Sequence, residues 1–167
     1  MIIRDAGERD LAAIMAIYNH AVLQTTAVWN DTPVTLEERQ SWLAGKRERG
    51  FPVLVAEVGD RLLGFASYGD FRPWPGYVHT IEHSVYVHPE SHRQGVGRAL
   101  MEALIEQAVA AGLHAMIGGI EAGNAGSLAL HHALGFAEVG RLPEVGRKFD
   151  RWLDLVFMQR VLREAAD

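Results

Sequence analysis

A mixed α/β chain of the α+β kind is what this sequence predicts, and three observations predict it. About four stretches carry apolar residues at helical spacing. About six others are short β-branched or alternating runs bounded by turn residues. The length, 167 residues, fits one domain at roughly 150 residues per domain, so residues 1–167 are expected to form a single unit.

The elements follow in order. Ile2-Ile3 reads as a short strand. Asp10, a good N-cap residue, precedes Leu11, Ile14, Met15, Tyr18 and Val22, which predicts an amphipathic helix over 10–23. Residues 24–34 then form a loop holding Thr25, Thr26 and Trp29. Thr35 and Glu38 make a capping box, and Trp42 and Leu43 supply the buried stripe of a second helix ending near Gly50. Val53–Val58 and Leu62–Tyr68 flank Gly59-Asp60 and read as a hairpin. The two prolines of Phe71-Arg72-Pro73-Trp74-Pro75-Gly76 remove ladder donors, so this segment is a loop. Tyr77–His88 reads as a long strand. Leu100, Met101, Leu104, Ile105, Ala108 and Val109 define a third helix closed by Gly112. His114–Ile120 is another strand, Ala125–Leu134 a fourth helix ended by Gly135, and Trp152–Val161 a last strand.

Composition removes whole classes of function. Sixteen basic against 21 acidic residues leave a net charge of -5, the wrong sign for a protein that grips nucleic acid through phosphates. With no cysteine, disulfides, Cys-ligated zinc, iron–sulfur clusters and a thiol nucleophile are excluded. The longest apolar run, Leu11 to Tyr18, is far shorter than the 18 or so residues of a spanning helix. The opening residues lack a signal-peptide layout. A soluble, cytoplasmic protein with no membrane partner is expected.

The segment Val87-His88-Pro89-Glu90-Ser91-His92-Arg93-Gln94-Gly95-Val96-Gly97-Arg98 reads strand, glycine turn, helix. Such a turn aims free backbone N–H groups at one point and makes a phosphate cradle. Gly95 and Gly97 let an oxygen approach without a β-carbon in the way, and Arg93 and Arg98 supply charge. A P-loop would need Gly-Lys-Ser/Thr, and a dinucleotide fingerprint would need Gly or Ala where Leu100 stands.

At this turn the chain resembles the GCN5-related N-acetyltransferases (GNAT), whose signature is Gln/Arg-x-x-Gly-x-Gly/Ala. Here it reads His92-Arg93-Gln94-Gly95-Val96-Gly97, departing at His92. Asn124-Ala125-Gly126-Ser127 through Leu134-Gly135-Phe136 resembles the second cofactor motif of that family. The resemblance implies a GNAT fold, with a central mixed, mostly antiparallel sheet of about six to seven strands flanked by about four helices. It implies acetyl-CoA as cosubstrate, its pyrophosphate at Arg93, Gln94, Gly95, Val96, Gly97 and Arg98. Its pantetheine arm would lie along Val85-Tyr86-Val87, with Asn124 and Ser127 on the second motif. Ile17-Tyr18-Asn19, Thr25-Thr26, Ile81 to Val87 and Gly146 to Asp154 are similar to the phosphinothricin and methionine sulfoximine/sulfone acetyltransferase branch. That branch acetylates the α-amine of small amino-acid analogues, and its members resemble homodimers.

Acetyl transfer needs a neutral amine, and an α-amine of pKa about 8 is mostly protonated near neutrality. Glu82, framed by Ile81 and Val85 and on one strand face with Ser84 and Tyr86, is a candidate base whose pKa a half-dry strand would lift. It also matches the base position of the family. Asn124, Ser127, Leu128 and His131 share a helix face. His131 falls where the family often carries a Tyr acid, which makes it a candidate acid. Arg72 between Phe71 and Trp74 combines a carboxylate clamp with apolar walls. The expected acceptor residues are Phe71, Arg72, Pro73 and Trp74, then Glu82, His83 and Ser84, with Lys148 on a second oxyanion. No metal is expected, since His79 and His83 stand roughly 13 Å apart on a strand at about 3.3 Å per residue. Ser127 lacks a Gly-x-Ser-x-Gly frame. Two alternatives to acetylation of small amino acids stay open: acetylation of peptide or protein N-termini, and noncatalytic sensing of acyl-CoA.

Overall fold

The structure is a computed structural model that describes residues 1–162. Its elements are β1 (Ile2–Asp5), α1 (Leu11–Gln24), α2 (Leu36–Glu48), β2 (Val53–Val58), β3 (Arg61–Asp70), β4 (Thr80–Val87), α3 (Val96–Ala110), β5 (Ala115–Glu121), α4 (Ala125–Ala133), β6 (Ala137–Lys148) and β7 (Arg151–Val161). They build one seven-stranded sheet in the order β1-β2-β3-β4-β5-β7-β6. The β4–β5 pair is parallel and the other five pairs are antiparallel. Among the described residues no helix is long and apolar enough to cross a membrane.

Alternation along β2 sends residues to both faces, so each face carries its own core. Leu54 and Ala56 join Leu100, Met101 and Leu104 of α3, together with Leu134 and Phe136 after α4. Val53 and Val55 join Leu11, Ile14 and Ile17 of α1 and Leu43 of α2. Leu100, Met101 and Leu104 are fully buried, each worth about 1.5–3 kcal/mol of apolar transfer.

Turn chemistry explains most boundaries. The capping box forms as Glu38 N–H donates to Thr35 Oγ1 (3.2 Å) and Thr35 N–H to Glu38 Oε2 (2.7 Å). Gly59, Gly112 and Gly135 take φ values of +58°, +72° and +81°, which β-carbons disfavour. Asp10 does not cap α1 with its side chain. Its carboxylate instead accepts from Arg4 Nη1 and Nη2 and from Gly7 N–H at 2.7–2.8 Å. The segment before β4 is a short 3-10 turn over Pro75–Tyr77, so the strand starts at Thr80 and not at Tyr77. Strand β6 carries no clear two-residue apolar period in sequence. It is an exposed edge strand with register shifts between Glu138 and Gly140 and between Leu142 and Gly146.

One irregularity creates the site. Pairing of β4 with β5 covers only Thr80–Glu82 against Ala115–Ile117, whereas β5 stays paired with β7 as far as Glu121. The next position of β4 is His83, which packs over Gly118, where a β-carbon would come 2.7 Å from His83 Nε2. Beyond that point β4 departs, leaving the backbone of Val85–Val87 without a strand partner on its β5 side.

Candidate active site

The open edge of β4 borders a cavity of about 420 Å³. Val85, Tyr86 and Val87 line one side, Arg93, Gly95, Val96, Gly97 and Arg98 a second, and Asn124 and Ser127 a third. The first intrahelical bond of α3 runs from Ala99 N–H to Gly95 O (3.0 Å), so the amides of Val96, Gly97 and Arg98 have no carbonyl partner within the helix. Gly95 sits at φ +78° and aims them. Gly97 leaves the space that a β-carbon would fill 3.3 Å from Leu130 and 3.5 Å from Val87. Gln94 does not line this cavity: its Nε2 donates to Glu90 O at 3.0 Å. Asn124 caps α4, its Oδ1 accepting from Ser127 N–H at 3.1 Å. The fourth wall is Ile17, His20 and Ala21 of α1 with Thr25 and Ala27 after it; of these only Ile17 and Thr25 fall in segments that resemble the acetyltransferase branch, and His20, Ala21 and Ala27 have no signal in the sequence.

A second cavity of about 350 Å³ is lined by Ala27, Trp29, Arg72, Glu82, Gly119, Glu121, Leu155 and Phe157. Ala27 belongs to both cavities. Glu82 projects over β5, where a β-carbon on Gly119 would come 3.4 Å from its Oε1. Burial raises the Glu82 pKa above the ordinary carboxylate value, and the positive charge of Arg72 partly opposes the rise. Arg72 is steadied by Phe71, since its guanidinium carbon lies 4.2 Å from the ring centroid and its Nη1 donates to Phe71 O at 2.8 Å. The Phe71 ring in turn meets Phe157 edge-on at 6.2 Å. Pro73, Trp74 and Ser84, expected at the acceptor, are exposed and line neither cavity.

Three further expectations are corrected. His83 alternates to the face opposite Glu82, where it is buried, and its Nε2 lies 3.0 Å from Nε2 of the buried His131. His131 Nδ1 lies 2.7 Å from Ser127 O. That carbonyl can only accept, so Nδ1 carries the hydrogen and Nε2 accepts from His83. Both ring nitrogens of His131 are therefore committed within the protein, and His131 lines neither cavity. It has no N–H to give a leaving group. Burial pushes both imidazole pKa values down, and His131 lowers that of His83 further. Lys148 is also no oxyanion ligand. It is 7% exposed, and Nζ donates to the carbonyls of Val22, Thr25 and Val28 at 2.5–2.7 Å, which uses its three hydrogens. Among the described residues no group of three or more His, Asp or Glu side chains is arranged to hold a metal.

An amide cradle beside an unpaired strand edge, adjoining a chamber with a raised-pKa carboxylate, defines a class of enzyme that passes an acyl group from a nucleotide-borne thioester to an amine. The defining pattern of the acetyltransferase (GNAT) family matches residues 14–136, and the chain belongs to that family. L-methionine sulfoximine/L-methionine sulfone acetyltransferase of Pseudomonas aeruginosa is 54% identical over 158 residues, spanning 94% of this chain and 92% of that protein. The solved structure of yncA from Salmonella typhimurium with its cofactor acetyl-CoA superimposes with a TM-score of 0.96 at 50% identity, covering 100% of this chain and 96% of that one. A ribosomal-protein-alanine N-acetyltransferase of Brucella melitensis does so with a TM-score of 0.96 at 53% identity, covering 97% and 100%.

Proposed function

We propose that this acetyltransferase moves the acetyl group of acetyl-CoA to the α-amine of a small amino acid or analogue, of the methionine sulfone, methionine sulfoximine or phosphinothricin kind. The observation that carries the reading is the junction of the two cavities at Ala27. It sets the donor cavity beside a smaller chamber lined by two carboxylates, Glu82 and Glu121, and one guanidinium, Arg72.

The residues divide the work. The amides of Val96, Gly97 and Arg98, with Arg93, hold the pyrophosphate of the donor, and the free edge of Val85–Val87 pairs with its pantetheine arm. Arg72 binds the α-carboxylate of the acceptor. Glu82 takes a proton from the α-ammonium, directly or through one water, and its raised pKa brings it toward the range a base near neutrality needs. The freed nitrogen attacks the thioester carbonyl, the C–S bond breaks, and the second proton of the amine passes to the departing sulfur, directly or through water, so that coenzyme A leaves as the thiol. We propose further that the enzyme works in the cytoplasm as a homodimer. Trp74 and Trp152, 69% and 60% exposed, are the kind of apolar surface that subunit contacts cover.

Acetylation of protein N-termini is the second reading, favoured by the name of the Brucella relative. Thiol release from acetyl-CoA separates the two when methionine sulfone, methionine sulfoximine and phosphinothricin are compared with alanine-initiated peptides. Turnover of the free amino acids at kcat/KM at least about tenfold above the peptides is expected. The reverse order would replace this reading with the second.

A further inference from the structure

The wall between the two cavities is the segment after α1, and its hold on the rest of the molecule comes from a distant strand. Ala27 lines both cavities and Trp29 lines the acceptor chamber. Trp29 Nε1 donates to Thr26 O at 2.9 Å, and Thr26 Oγ1 to Glu121 Oε2 at 3.1 Å. At the other end stand the last residues of β6. Lys148 Nζ donates to Val22 O, one of the carbonyls that the end of α1 leaves open, and to Thr25 O and Val28 O on either side of Ala27. A cation is favoured at that point because the helix end is its negative pole. Two residues earlier, Gly146 lies so close against the Trp29 ring that a β-carbon there would collide with its Cε3 and Cζ3 atoms. Edge strand β6 thus grips the segment twice, by a charge and by a missing side chain.

We propose that Lys148 is a positioning residue for the acceptor: by fixing the carbonyls of Val22, Thr25 and Val28 it sets where Ala27 and Trp29 stand, and so the shape of the amino-acid chamber. The inference rests on the assignment of that chamber to the acceptor. Its consequence is a separation of effects. If the segment shifts, the donor cleft keeps its amide cradle and the β4 edge and is disturbed only at Thr25 and Ala27 of its fourth wall, whereas the chamber is disturbed at both Ala27 and Trp29.

The chain has no cysteine, so Lys148→Cys introduces a single thiol. Alkylation with 2-bromoethylamine in urea forms a carbon–sulfur bond, expels bromide and restores a side chain of lysine length with its ammonium. Untreated Lys148→Cys is expected to raise KM for methionine sulfone about tenfold or more, with the acetyl-CoA Kd within about threefold of the parent. Alkylation and refolding should return KM to near that of parent enzyme treated identically. An unchanged KM, a parallel rise in acetyl-CoA Kd, or no recovery after alkylation would overturn the proposal. If Lys148→Cys does not fold, Gly146→Ala carries the same test. Gly146 has no positive φ, so only the Trp29 ring must yield, and an unchanged KM would again be decisive against it. A parent enzyme that acetylates no free amino acid would sink the functional reading. An active parent with a silent Lys148→Cys would sink this proposal alone.

Discussion

In the proposed reading, recognition at the donor end of the cleft is mostly by backbone: three amides at the head of α3, joined by Arg93, and the unpaired edge of β4, contiguous within residues 85–98. At the acceptor end it is done by side chains, brought together from the segment after α1, the loop before β4, β4 itself, β5 and β7. A backbone cradle needs only a turn of the right handedness and a missing β-carbon, so it tolerates change in most surrounding side chains. A chamber of side chains from five segments depends on each of them, and on whatever holds the segments in place. The donor end is thus suited to one invariant ligand and the acceptor end to specificity.

The sharpest way to test that division is to remove the acceptor-side group proposed as the base. Glu82→Gln should lower kcat by ~10²-fold or more, the usual range for loss of a general base, with acetyl-CoA affinity unchanged in calorimetry. In the parent, activity should fall on the acid side as Glu82 takes up its proton. Burial raises its pKa, so that limb should lie above the ordinary carboxylate range, and Glu82→Gln should lack it. Comparable losses in donor affinity would erase the distinction between the two ends.

A crossed pair of substitutions gives a smaller but more specific effect. Gly97→Val crowds Leu130 and Val87 at the cradle and should weaken acetyl-CoA binding about tenfold or more, with little change in acceptor KM. Arg72→Ala should do the reverse. Arg72 is exposed, and its charge pair with substrate is partly screened, so a loss of about tenfold in kcat/KM is expected for an acid acceptor. The amide of the same amino acid should lose less. Equal losses for acid and amide would take the α-carboxylate away from Arg72.

The same contrast explains what could be read from the sequence. The proposed donor site is local: a strand, a glycine pair and a helix head mark it within twelve consecutive residues, and Gln94 is the member whose side chain turns elsewhere. The four helices, the hairpin and most strands were equally legible, because capping residues and turn glycines sit where the chain reverses. Strand β6 was not, since an exposed edge with two register shifts has no buried face to impose alternation. At the acceptor, Glu82 and Arg72 were legible from charge in an apolar or aromatic setting. Gly119, Leu155 and Phe157 were not, because nothing local says that β5 and β7 present them to the same chamber. Lys148 was misread for a physical reason: a cation near an active site suggests an anion, but three backbone carbonyls satisfy it as well.

The smallest effect on catalysis, and the clearest on stability, belongs to the neighbour of the base. Glu82 and His83 are consecutive, yet alternation puts one in the acceptor chamber and the other under α4 against His131. His83 Nδ1 is buried with no hydrogen-bond partner among the described residues, so nothing there compensates a second proton on the ring. Burial above all holds both imidazoles neutral in the folded protein, with His131 adding to the effect on His83 and His132 to that on His131, so both pKa values lie below the ordinary histidine value. The unfolded chain, with histidine pKa near 6.5, therefore binds more protons below that pH, and stability must fall as pH falls through it. Each imidazole kept neutral contributes a slope of up to about 1.4 kcal/mol per pH unit. In His83→Asn the side-chain amide can still donate to His131 Nε2, but one titrating group is gone. Urea unfolding of parent and variant between pH 8 and pH 4.5 should give curves that run parallel above pH 7. Below pH 6 they should converge, or cross, by about 1.4 kcal/mol per unit, because carboxylates contribute to both alike. Curves that stayed parallel through the acid range would mean that the pair accepts a proton while folded, and the neutral, tautomer-locked arrangement beneath α4 would have to be abandoned.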